Sequence, residues 1–245
     1  AVPTTLGTRF ASWVQALGSA HRALLNAANL PAAYGGAAGT LAGAAALFDT
    51  DDRAHRALDL VNTWAHRQLG LPVQPAPGHV TRGPLLSWTG AVAEVGAALG
   101  KVASDVLLAV RPEIGELAEP SAPGRGASSA MAHKHNPVLS VLLRRSALAM
   151  PALQAQVSTA AGLAVDERPD GAWHAEWPAL QQLARHLAGS ARIGAELLGG
   201  LVVHREAVAR NLTRHLGVPP GDADLGAAPL IVDRVLREYG FSGDR

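Results

Sequence analysis

The sequence predicts an all-α protein built as a bundle of long helices, and three observations carry that expectation. Hydrophobic residues make up 48% of the chain but aromatic ones only 4%, so the core is aliphatic, which suits closely packed helices better than a β-sandwich. Two long apolar segments, residues 85–110 and the run after Pro137, keep helical spacing. No stretch shows the alternation of a half-buried strand, and no internal repeat or low-complexity block interrupts the pattern.

The 245 residues are enough to bury a substantial core. Pro3, Thr4 and Thr5 read as a helix start, followed by an amphipathic run through Phe10, Trp13, Val14, Leu17, Leu24 and Leu25. Residues 52–69 form a helix with Leu58, Val61, Trp64 and Ala65 on one face, stopped by Gly70 and Pro72. A proline-rich loop, residues 72–84, leads into the long helix of 85–110. That helix is interrupted only by Glu94, Lys101, Ser104 and Asp105, so it belongs in a bundle interior or a subunit interface. A loop over 119–133 precedes a second long helix carrying Val138, Leu139, Val141, Leu142, Leu148 and Leu153, in which Pro151 should mark a kink or a join. Later helices are expected over residues 175–201, 202–216 and 226–239, with a frayed tail. These elements group into a central bundle, residues 1–216 with a distinctive loop at 124–137, and a short C-terminal helical segment, residues 217–245.

Composition excludes several classes of function. A formal net charge of +1 gives no electrostatic footprint for nucleic acid. The absence of cysteine rules out a disulfide framework and a thiolate metal site. No apolar run reaches the roughly 20 residues that span a bilayer, so a soluble, cytoplasmic protein is expected.

Three stretches carry residues suited to chemistry, and each also fits a plain structural role. Residues 126–137 combine Gly126, the hydroxyls of Ser128 and Ser129, His133, Lys134 and His135, and then Asn136-Pro137, which reads as an N-cap and a first helical turn. Free amides at a helix start, together with the lysine charge, attract carboxylates; the same composition fits a glycine-rich connector. The small-residue patch Gly35-Gly36-Ala37-Ala38-Gly39-Thr40 lets backbone approach either a ligand or a neighbouring helix. Residues 166–177 place acids, Arg168, Trp173, His174 and Trp177 between two helices, as a site or as a polar connector with anchoring tryptophans.

The segment Gly-Ala-Ser-Ser-Ala-Met-Ala-His-Lys-His-Asn-Pro, residues 126–137, resembles the signature loop of the fumarase/aspartase superfamily, Gly-Ser-Ser-x-Met-Pro-x-Lys-x-Asn-Pro. Ser128, Ser129, Met131, Lys134, Asn136 and Pro137 agree in register, and the glycine is shifted to Gly126. Ala132 stands where the family usually has proline, and Ala127 where it has glycine or serine. Residues 35–40 resemble the family's Gly-Gly-Ala-x-Gly-Thr element, and Gly78-His79-Val80-Thr81-Arg82 a Trp-His-Thr-x-Arg stretch. The run Glu167-Arg168 through Gly171, Trp173 and Ala175-Glu176-Trp177 is similar to the 3-carboxy-cis,cis-muconate cycloisomerase branch in particular.

The resemblance implies a long central bundle assembled as a homotetramer whose active sites are shared between subunits. It implies also that the chain is a truncated piece, lacking an N-terminal domain of about a hundred residues and most of a Thr-x-x-Gln-x-Ala-x-Pro segment whose tail is Ala1-Val2-Pro3-Thr4. The reaction implied is cycloisomerisation of 3-carboxy-cis,cis-muconate in aromatic-acid catabolism, with a small tricarboxylic substrate and neither cofactor nor metal. Ser128 maps onto the catalytic base and Lys134 onto the charge-stabilising cation, while Ser129, Asn136, His133, Arg82, His79 and Thr40 form the substrate-binding set. Arginine suits that task because its planar fork takes two carboxylate oxygens. Two other readings stand beside it: a superfamily lyase on an adenylosuccinate-type or other succinate-like substrate, and an inactive bundle that serves only as a scaffold.

Overall fold

The computed structural model describes residues 2–126 and 136–241. In chain order they form α1 (Leu6–Ala27), α2 (Ala42–Ala45), α3 (Arg53–Thr63), α4 (Gly83–Ala109), β1 (Leu117–Ala118), α5 (Val138–Gly162), α6 (Ala172–Gly199), β2 (Val202–Val203), α7 (Arg205–Leu216) and α8 (Ala228–Glu238). The all-α expectation holds. α1 starts where the threonines direct it: Thr5 Oγ1 accepts from the amide of Thr8 at 2.9 Å, an N-cap bond. α4 and α5 follow the two apolar runs, and Pro151 sits inside α5 without ending it.

Three local expectations change. α3 is continued by a π-helical turn, Trp64–Gln68. The face turned inward on this stretch is Ala57 and Ala65, both fully buried, whereas Leu58 and Trp64 remain 48% exposed. The reason is α2, a short helix with no periodic signal: Leu41 and Ala44 pack on Ala57 with Val61 and Phe48 alongside. Further on, residues 202–203 are strand rather than helix, pairing antiparallel with β1 as Leu117↔Val203 and Ala118↔Val202. A two-residue strand is too short to leave an alternation.

The chain divides into two compact units, one made of residues 1–21, 94–149 and 186–245, the other of residues 22–93 and 150–185. The core of the first is aliphatic apart from one ring: Trp13, Leu99, Val102, Ala103, Val106, Leu117, Leu139, Leu143 and Leu197. Trp13 directs its indole N–H to Asp105 Oδ2 at 2.7 Å, so a buried donor is satisfied where α1 meets α4. The second unit holds the small cluster around Ala57 and, as shown below, a buried ion pair. Among the described residues no helix is long and apolar enough to cross a membrane.

Leu143 is 1% exposed in the first core. Leu143→Ala should therefore destabilise the protein by about 2–5 kcal/mol, read as a lower urea midpoint.

Candidate active site

Of the residues singled out by sequence, Ser128, Ser129, His133 and Lys134 lie outside the described residues. The positions on either side of that segment are described. The Asn136 amide donates to the Gly126 carbonyl at 2.8 Å, and its side-chain Nδ2 donates to the same oxygen at 3.2 Å. The two ends of the intervening stretch are thereby tied together. Gly126 is required there: its φ is +74°, and a Cβ would fall 2.7 Å from the Asn136 carbonyl oxygen.

The expected N-cap role of Asn136 is corrected by the same bonds, because its side chain is turned back to Gly126. The first amides of α5 are capped instead by Glu119, directly after β1. Its Oε2 accepts from Leu139 N at 3.0 Å and its Oε1 from Ser140 N at 2.7 Å. Leu139 and Ser140 are 3% and 0% exposed, so their amides depend on the partly buried carboxylate of Glu119 for a partner. Unpaired, each amide would cost about 1–3 kcal/mol. The loop between Glu119 and Gly126 is held by Arg125, which bonds both the Pro120 carbonyl and the Glu196 carboxylate on α6. A cleft of about 350 Å³ opens here, lined among others by Glu119, Ser121, Arg125, Gly126, Asn136 and His204.

The second unit holds Thr40, His79 and Arg82. Thr40 is exposed, and its Oγ1 accepts from the Ala42 amide at 3.4 Å. The patch before it lies against the His79 loop: a Cβ on Gly35 would come within 2.6 Å of Pro77 Cβ and 3.0 Å of His79 Nε2. Leu41, next to Thr40, is held at φ 55° although it is not glycine, a strained conformation maintained only by its surroundings.

The stretches 78–82 and 173–176, read separately in the sequence, meet here. Trp173 donates its indole N–H to the His79 carbonyl at 3.0 Å, and the two rings stand edge to face at 6.0 Å. Arg82 is gripped by Glu176, with Nε to Oε2 at 2.9 Å and Nη2 to Oε1, while Nη1 donates to the Gly78 carbonyl at 3.1 Å. The Glu176 side chain is 1% exposed and that of Arg82 16%. Three bonds leave two of the five guanidinium N–H groups for another acceptor. His79 Nδ1 is buried with no partner among the described residues. Glu119 had no signal of its own, and Glu176 was read only as part of the 167–177 stretch; the partner of each lies far away in sequence.

Two outcomes follow. Glu176→Ala strips the partner from a mostly buried guanidinium and should cost about 3–5 kcal/mol in urea unfolding. Gly126→Ala meets both the left-handed φ and the carbonyl of Asn136, and should accelerate hydrogen exchange at the Asn136 amide while leaving the α1–α4 core amides unchanged.

A family model described as "Lyase" matches residues 1–150. The nitrosuccinate lyase of Streptomyces davaonensis is 48% identical over 216 residues, covering 86% of this chain and 44% of that protein. The 3-carboxy-cis,cis-muconate cycloisomerase of Pseudomonas aeruginosa is 38% identical over 217 residues, with the same 86% and 44% coverage. Among solved structures, the 3-carboxy-cis,cis-muconate lactonizing enzyme from Pseudomonas putida superposes with a TM-score of 0.81 at 27% identity, over 98% of this chain and 65% of that one. The chain thus spans about half the length of the curated relatives it matches. With the family model covering most of the chain and the loop of residues 126–137 in register, the protein belongs to the lyase family of the fumarase/aspartase superfamily.

Proposed function

We propose that the protein catalyses elimination next to a carboxylate, with nitrosuccinate as the substrate and Ser128 as the base. The observation that carries the choice of substrate is the 48% identity to nitrosuccinate lyase, against 38% to a cycloisomerase over nearly the same length. Ser128 oxygen takes a proton from C3, the electron pair left behind forms the C2=C3 double bond, and the C2–N bond breaks with its electrons on nitrogen. Fumarate, nitrite and one proton are the products. The C3 proton is weakly acidic, so the charge developing on the adjacent carboxylate must be stabilised, the largest lever such sites have. Lys134 supplies a full positive charge for this and helps hold Ser128 in its basic form. Ser129, His133 and Asn136 bind substrate from the same loop. In the second unit, Thr40, His79 and the two remaining N–H groups of Arg82 are proposed as donors to a substrate carboxylate.

A second reading, 3-carboxy-cis,cis-muconate cycloisomerase activity in aromatic-acid catabolism, is favoured by the stretches 78–82 and 167–177 and by the TM-score of 0.81. There a substrate carboxylate oxygen adds to a ring-closing double-bond carbon, and the neighbouring carbon takes up a proton to give the lactone. Both readings place the protein in the cytoplasm as a homotetramer with sites shared between subunits, and both use Ser128, as proton acceptor in the elimination and as proton donor in the lactonisation.

The two are separated by offering each substrate in turn. Nitrite and fumarate should appear from nitrosuccinate, while the diene absorbance of 3-carboxy-cis,cis-muconate should persist; loss of that absorbance without nitrite release would reverse the assignment. Ser128→Ala should lower turnover of the accepted substrate by about 10²–10⁴-fold.

A further inference from the structure

We infer that Glu119 is a positioning residue for the catalytic loop: an internal carboxylate that occupies the N-terminus of α5 and so sets where Asn136 and Gly126 stand. A helix start with free amides is a ready anion site, and the loop sequence alone points a substrate carboxylate towards it. The structure fills that place from within. Both oxygens of Glu119 are used on consecutive amides, those of the buried residues Leu139 and Ser140. Charge and dipole favour this arrangement as well as the two hydrogen bonds.

The consequence reaches the loop through a short chain of bonds. Glu119 follows β1, whose pairing with β2 fixes its backbone, and the adjoining His204 amide donates to the Glu116 carbonyl at 2.9 Å. From Glu119 the chain turns through Pro120 and Arg125, held by Glu196, to Gly126, which accepts both bonds from Asn136. Asn136 is two residues before α5 begins. The carboxylate therefore closes a ring: β1, Glu119, the start of α5, Asn136, Gly126, and back along 120–125 to Glu119. Substrate carboxylates are left to the side chains of the loop and its partners, because the helix terminus is already taken.

As it bears on turnover, this rests on the elimination reading above, and the test is built with one arm that needs no substrate. In that arm, hydrogen exchange is followed at the amides of Leu139, Ser140 and Asn136 in the wild-type chain and in Glu119→Ala. All three should exchange faster in the variant, and formate should restore protection by entering the space the side chain leaves. Chloride at equal ionic strength should not. In the kinetic arm, Glu119→Ala should lose about 100-fold in kcat with KM little changed. Formate should raise its kcat saturably while leaving wild type untouched.

If the alanine variant does not fold, Glu119→Gln replaces it, keeping the size and removing the charge; a reduced kcat at unchanged KM is expected. Unaltered exchange at Asn136, or a kcat equal to wild type in the variant used, would overturn the inference. Absence of turnover in the wild type would instead fail the elimination reading, and the exchange arm would still decide the role of Glu119.

Discussion

A carboxylate set on the second and third amides of α5 governs how the ends of the segment 126–137 are framed. Glu119 turns a helix start, ordinarily an open anion site, into a closed structural joint. The joint matters because the chemistry proposed for this loop is demanding. In the proposed elimination a serine oxygen acts as a base towards a carbon acid, and proton transfer of that kind tolerates little displacement of the reacting groups. Two bonds from Asn136 to one carbonyl and a glycine that no other residue could replace complete the frame. The ends of the segment are thus held by bonds within the protein: Glu119 on the start of α5, and Asn136 on Gly126.

The second cluster works by the same logic with the signs reversed. There a cation, Arg82, is the group with chemical potential, and a buried carboxylate, Glu176, fixes its plane. A buried ion pair contributes little net stability, since desolvation offsets most of the attraction. Its physical value here is orientation: the guanidinium is held on three sides, with the Trp173 indole bracing the backbone of His79 close by. In each region a glutamate spends its charge on geometry.

The long helices were legible in the sequence because their apolar residues repeat at helical spacing over more than twenty positions in α4 and α5. The N-terminus of α1 was legible because Thr5 caps it locally. The β1–β2 pair, the π-helical turn after Thr63 and the burial of Ala57 in place of Leu58 were not, since each depends on a partner distant in sequence. The loop motif was readable as a signature, but its framing was not. Asn136 has the side chain of an N-cap and the position of one, and it loses that role to a glutamate 17 residues earlier. Likewise Arg82 was recognisable as a carboxylate-binding residue by type, while the carboxylate nearest to it belongs to the protein itself.

The most direct test of the central claim is a single-turnover measurement with nitrosuccinate deuterated at C3, in the wild-type chain and in Ser128→Ala. Working at excess protein removes product release from the observed rate. Proton abstraction by Ser128 predicts a wild-type rate slowed by deuterium and a variant with almost none. A rate indifferent to deuterium, or one that survives the loss of the serine hydroxyl, would contradict it.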